Sequence, residues 1–236
     1  MKLWPTNNQQ VLEGMNAHES KFSILTNGQK LYHPWYLDGG GGDYRHYFLR
    51  ALSDYGKPKY VNAYEWCCGH SIIGFEILTH GKCENLTVSD YYDVAVNVSL
   101  ENAKNLGYES RVKGYITPVV SSIPLTEKWD LVVGNPPNSM NGDYFIQQGK
   151  KDNLTDEHIN HSLRLAVDEE FECHRECFNN LKNYITEDAD VFITLHETVF
   201  TYFSEKIGEP AGFVITNVID MMPRDTSLKI AHIKVK

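Results

Sequence analysis

Asn135-Pro136-Pro137-Asn138 closes the apolar run Trp129-Asp130-Leu131-Val132-Val133-Gly134. Residues of these types in this order can set two hydrogen-bond acceptors side by side, the carboxamide oxygen of Asn135 and the main-chain oxygen of Pro136. Such a pair suits a nitrogen whose lone pair is delocalised into a carbonyl or a ring. That nitrogen is a poor nucleophile, and accepting both of its N–H groups turns the lone pair outward. The two prolines fix φ and keep the turn from winding into a helix. A simpler reading is that the tripeptide only ends a strand.

Two further stretches offer groups for a nucleoside. Glu65-Trp66-Cys67-Cys68-Gly69-His70-Ser71-Ile72-Ile73-Gly74 places an acid ahead of a small-residue turn. The dinucleotide pattern G-x-G-x-x-G can be laid on Gly69, Ser71 and Gly74 only with serine at its centre. The nucleophile elbow G-x-S-x-G does not fit, because its last glycine would have to come one residue sooner. Asp90 ends Val88-Ser89-Asp90, 21 residues after Gly69, a distance that suits an acid accepting bonds from ribose hydroxyls. A helix cap is the alternative role for Asp90.

The elements that must position these residues alternate. Apolar runs predict strands at 60–64, 86–90, 115–120, 129–134 and 189–195, with a terminal pair at 212–222 and 228–236 turned around Pro223-Arg224-Asp225. Helices are expected at 72–79, with His80-Gly81 as its stop, and at 94–105, ending at Gly107. Such an order predicts an α/β, Rossmann-like, mostly parallel seven-stranded sheet with one antiparallel strand and helices on both faces. In an open sheet of this kind ligands collect beyond the carboxyl ends of the strands, where all three stretches lie.

Ahead of the sheet, 22–25 and 30–32 read as short strands around Asn27-Gly28. Asp38-Gly39-Gly40-Gly41-Gly42-Asp43 reads as a hinge, a flexible loop or a lid, before a helix at 44–52. Residues 1–57 are thus expected to form an N-terminal cap or lid, and 58–236 the catalytic domain. After the Asn-Pro-Pro stretch, 139–165 reads as a long connection shaping access to the strand ends.

With 236 residues the chain is long enough for one large α/β domain. A net charge of −9, with basic clusters only at Lys57-Pro58-Lys59, Lys150-Lys151 and the last residues, argues against nonspecific nucleic-acid binding. Five cysteines, no secretory leader pattern and no membrane-spanning run predict a reduced, cytoplasmic protein without a membrane partner. His158, His161, Cys173, His174 and Cys177 could suggest zinc. However, Leu165, Val167, Phe171, Phe178 and Leu181 mark an amphipathic helix through this region, so no metal is expected.

Residues 65–138 resemble the core of class I S-adenosylmethionine-dependent methyltransferases that carry an Asn-Pro-Pro-aromatic signature. These include the HemK-type glutamine methyltransferases and nucleobase N-methyltransferases. Glu65 and Gly69 match the first motif. Asp90, Ala95, Glu101-Asn102-Ala103 and Leu106-Gly107 match the second, and 129–137 the fourth. The resemblance implies S-adenosyl-L-methionine as cofactor, near Glu65, Cys67, Gly69, Ser71, Asp90, Tyr91, Ser121, Ser122 and Asn135. It implies catalytic roles for Asn135, Pro136 and Pro137. Cys67 and Ser71 stand where the family usually has glycine. Ser121 and Ser122 stand where an acid commonly meets the adenine, and Asn138 replaces the aromatic that borders a planar substrate. Asn138, Tyr144 and Trp35 are therefore the substrate-side candidates. Lacking that aromatic and a basic surface, the chain is expected to methylate a macromolecular amide or amine nitrogen. A protein glutamine is favoured over adenine or guanine in RNA or DNA. A noncatalytic cofactor-binding partner subunit is the reading from a different class.

Overall fold

The computed structural model describes residues 20–37, 41–221 and 227–236. Strands β1 (Ser20–Ile24) and β2 (Lys30–Pro34) pair antiparallel around Asn27-Gly28, with Gly28 at φ 85°. Helix α1 (Gly41–Tyr55) follows. The core alternates β3 (Tyr60–Trp66), α2 (Ile72–Thr79), β4 (Cys83–Asp90), α3 (Asp93–Asn105) and β5 (Val112–Ile116). Then come β6 (Trp129–Gly134), α4 (Asp143–Lys151), α5 (Asp156–Ala166) and α6 (Glu172–Leu181). The chain continues through β7 (Ile185–His196), the short α7 (Phe200–Phe203), β8 (Phe213–Asp220) and β9 (Leu228–Val235).

Among the described residues, seven strands form one sheet in the order β5-β4-β3-β6-β7-β9-β8. All neighbours from β5 to β7 are parallel, and β9 runs antiparallel to both β7 and β8. Side chains alternate between two buried faces because a strand's period is two. Ala63, Leu131, Val133 and Phe192 join Phe48, Phe75 and Leu78 on one face. Tyr64, Trp66, Val132, Val191 and Ile193 join Phe178, Leu181 and Phe203 on the other. Burial on both sides is why the central strands read as nearly unbroken apolar runs.

The predicted sheet matches in class, direction and strand number, and several boundaries move. The third strand is Val112–Ile116 rather than 115–120, since Pro118 has no N–H to extend the ladder and the Thr117 hydroxyl instead bonds Val119. The first helix begins at Gly41, so two of the four glycines form its first turn, while Gly39 and Gly40 lie outside the described residues. The expected connection over 139–165 is largely helical. Its helices α4 and α5 meet where Gly149 leaves no room for a side chain, a Cβ there falling 2.5 Å from Ile159 Cγ1. Glu170 and Phe171, at φ 53° and 56°, break the run expected to be one helix and set α6 off from α5. The predicted turn at 223–225 lies outside the described residues.

Candidate functional site

A cavity of about 350 Å³ opens at the carboxyl ends of β3, β4 and β6. It contains residues from all three stretches singled out above: Glu65, Cys67 and Gly69 from the first, Asp90 and Tyr91 from the second, and Asn135 and Pro137 from the third. The parallel registers cause this convergence. Trp66 lies opposite Ser89 on one side and Gly134 on the other, so the three strand ends emerge level with one another.

Glu65 is 2% exposed. Its Oε2 accepts the Gly74 N–H at 3.1 Å and the Ser71 hydroxyl. Burial pushes its carboxyl up to about 8, against the pull of those two donors, and the nearby Asp90 charge adds to the rise. Ser71 is fully buried at φ 57° and does not line the cavity; its hydroxyl is turned back onto Glu65. A β-carbon on Gly74 would fall 2.4 Å from Glu65 Oε2, which is the space that this glycine keeps open.

Asp90 grips the turn from the other side. Its Oδ2 accepts the Gly69 N–H at 3.0 Å and its Oδ1 the Tyr92 N–H at 3.0 Å. Burial raises its pKa, with the Tyr92 and Gly69 N–H groups and the Arg164 charge opposing. Gly69 sits at φ 51°, and a side chain there would press on the Leu37 carbonyl at 3.1 Å. The requirement for glycine is thus set by its backbone conformation and by the N-terminal segment crossing over it.

The acceptor pair beyond β6 is tied to the next strand. Thr194 of β7, fully buried, donates its hydroxyl to Asn135 Oδ1 at 2.6 Å. Asn138 does not line the cavity. Its Nδ2 donates to the Pro136 carbonyl at 2.7 Å and to Thr194 Oγ1 at 3.2 Å, and its Oδ1 accepts the His196 N–H at 3.3 Å. Pro136, read as a catalytic residue, is buried and likewise lies outside the lining.

Several expected residues stand elsewhere. Ser121 and Ser122 are exposed, with Ser121 bound through its N–H and hydroxyl to Glu176. The wall near them is instead made by Thr117, Pro118, Val119 and Val120. Tyr144 is 65% exposed on α4, edge-on to Phe145, and does not reach the cavity. The side chains of Trp35, His158 and His161 lie outside the described residues. Among the described residues no group of three His, Cys, Asp or Glu is arranged to hold a metal.

Three contributors were not singled out as site residues from the sequence. Arg164 of α5 lines the cavity, donates to the Tyr36 carbonyl at 3.0 Å and stacks 4.4 Å from the centre of the Tyr92 ring. Asp168 lines it too, accepting the Cys173 and His174 N–H groups and His174 Nδ1 at 2.7 Å. Cys173 completes that wall, together with Cys67. All three come from the stretch after β6, where no spacing rule points to a cavity more than 25 residues away in sequence.

No model of a known protein family matches the chain. A stretch of 90 residues is 33% identical to the release factor glutamine methyltransferase of Leptospira interrogans, covering 37% of this chain and 32% of that protein. The match thus spans about a third of that relative's length. Ribosomal protein L11 methylase from Lactobacillus delbrueckii subsp. bulgaricus superposes with a TM-score of 0.56 at 14% identity, covering 80% of this chain and 77% of that one. TrmN from Thermus thermophilus gives 0.56 at 12% identity, over 89% of this chain and 56% of its own. A solved chain complexed with SAH gives 0.60 at 12% identity, over 93% and 57%. The chain has the class I methyltransferase fold.

Proposed function

We propose that this chain is an S-adenosyl-L-methionine-dependent N-methyltransferase acting on a protein amide or amine nitrogen, with a glutamine side chain as the foremost candidate. The observation that carries the reading is that Asn135 opens into the same cavity as Glu65, Gly69 and Asp90. The donor set fits the cofactor. A buried carboxyl at Glu65 would meet a cationic amino group, and the Asp90 carboxyl at the cavity wall would accept from a diol. When bound, the cofactor would supply a methyl group activated by a cationic sulfur, which would keep the C–S electron pair as the acceptor nitrogen gains the methyl and gives up a proton to water.

In this reading Asn135 Oδ1 accepts an N–H group of the target, and Pro136 and Pro137 keep the turn that carries it stiff. Alignment matters more than a strong base, because the methyl carbon is already activated. A protein acceptor is supported by what borders the site. Tyr144 gives no stacking face, and Glu169 and Glu170, directly after cavity-lining Asp168, are exposed where a phosphate backbone would be repelled. The described residues within 1–57 serve as a cap in the same reading, with Leu37 over Gly69 and Tyr36 held by Arg164.

Radiolabelled S-adenosyl-L-methionine incubated with the protein and an extract of cells lacking it provides the test. Label in protease-sensitive material is expected. Label in nuclease-sensitive material would transfer the reading to a nucleobase, and cofactor binding with no transfer to any fraction would point to a noncatalytic partner subunit.

A further inference from the structure

Asn138 stands where the family signature has an aromatic residue, and its bonds show what it does in this chain. Its side chain joins the turn after β6 to the end of β7, meeting the Pro136 carbonyl, Thr194 Oγ1 and the His196 N–H. The sense of that network is fixed at one end by a group that cannot be reversed. The His196 main-chain N–H only donates, so it must face an oxygen, and this sets Oδ1 of Asn138 towards β7. The Asn138 Nδ2 donors are then directed at the Pro136 carbonyl and at Thr194 Oγ1.

The Thr194 hydroxyl has a single proton. Since Oγ1 accepts from Asn138, that proton is directed to Asn135 Oδ1, 2.6 Å away. Polarity therefore runs from the β7 backbone through Asn138 and Thr194 to the carboxamide of Asn135. That bond holds the Asn135 amide in one orientation. The register makes the relay possible: Gly134 pairs with Ile193, which brings Asn135 level with Thr194 across adjacent strands. An aromatic side chain at 138 could not carry such a relay.

We infer that Asn138 and Thr194 are positioning residues, which hold the Asn135 carboxamide in the orientation that receives the target nitrogen. The inference rests on the function proposed above, in that it assigns that acceptor to the reaction. Neither residue lines the cavity, whereas Asn135 does, so both act through Asn135.

Thr194→Val keeps the shape of the side chain and removes the hydroxyl, Thr194→Ser keeps the hydroxyl, and Asn138→Asp keeps the acceptor for His196 while losing both donors. The rate of labelled methyl transfer into whichever fraction accepts it should fall about tenfold or more in Thr194→Val and Asn138→Asp, as expected for a displaced reacting group. The dissociation constant for S-adenosyl-L-methionine should stay within about twofold, and Thr194→Ser should retain the wild-type rate. Full activity in Thr194→Val would overturn the inference, as would an equal loss in Thr194→Ser. A second measurement separates this from failure of the proposed function. In selectively ¹⁵N-labelled wild-type protein the side-chain amide of Asn135 should give a resolved, slowly exchanging pair of resonances, which should collapse or shift in Thr194→Val. If they do not change, the relay is absent whether or not the protein methylates anything. If Thr194→Val fails to fold, Asn138→Asp gives the same two readouts from a partly exposed position.

Discussion

The two sides of the cavity are held in different ways. At the ends of β3 and β4 the functional carboxyls are gripped mainly by main-chain N–H groups close in sequence: Gly74 on Glu65, and Gly69 and Tyr92 on Asp90. At the end of β6 the functional amide is gripped by side chains, with Thr194 lying 59 residues from Asn135. The first arrangement is a property of a local loop, set by backbone conformation and by the glycines at 69 and 74. The second depends on the register between two strands and on the identity of particular side chains. Cofactor-side binding should therefore survive substitutions that abolish transfer.

The sharpest way to break that contrast is Asn135→Ala. Transfer should fall by about 100-fold or more, with cofactor affinity measured by calorimetry nearly unchanged. If affinity fell in parallel, the two sides would not be separable. Asp90→Ala should do the converse, weakening S-adenosyl-L-methionine binding by about 1.5–3 kcal/mol. Because Asp90 also holds the Gly69 and Tyr92 N–H groups, part of that loss should appear as a lower melting temperature of the free protein.

A smaller effect distinguishes Glu65. Its carboxyl, pushed by burial to about 8, holds its proton in the folded protein through the range where an unfolded chain has released it. The fold therefore binds the extra proton, and this contribution to stability is full below about pH 4.3 and lost as pH rises through about 8. Chemical denaturation of the cofactor-free protein at pH 5.5, 7 and 8.5 should show a decline that Glu65→Gln flattens. Binding S-adenosyl-L-methionine near pH 7 should release a proton, read as a dependence of the calorimetric enthalpy on the buffer. The smallest effect belongs to Ser121→Ala. Its hydroxyl faces Glu176 outside the cavity, so cofactor affinity should change by less than about twofold. A larger loss would bring 121–122 back to the adenine.

What was legible in the sequence follows the same division. The runs 60–64 and 129–134 are apolar enough to be identified as strands by composition, the first extending to Trp66 in the structure. Asp90 could be placed because its partner Gly69 belongs to the same βαβ unit. Ser71 reads as a cradle residue because it is small, and its left-handed backbone in fact turns the hydroxyl onto Glu65. Arg164, Asp168 and Thr194 were out of reach for a different reason. Nothing in the spacing of α5, the turn after it or β7 encodes which of their residues return to the ends of β3, β4 and β6. Asn138 was visible only as a departure from a pattern, and its bonds to β7 required the pairing register to be known.

That register contains its own adjustment. Between Trp129–Ile185 and Leu131–Asp190 the pairing of β6 with β7 jumps, so a step of two residues on β6 is matched by five on β7. The slack lies ahead of Thr194, at the far end of the sheet from the cavity. An added or deleted residue within 186–189 can be absorbed there, leaving each later side chain of β7 on its own face. The same change between Asp190 and Thr194 would exchange the two faces from that point on, swinging Thr194 away from Asn135 and carrying Ile193 or Leu195 into its place. Length variation in this protein should thus be tolerated at one end of a single strand and lethal to turnover a few residues later.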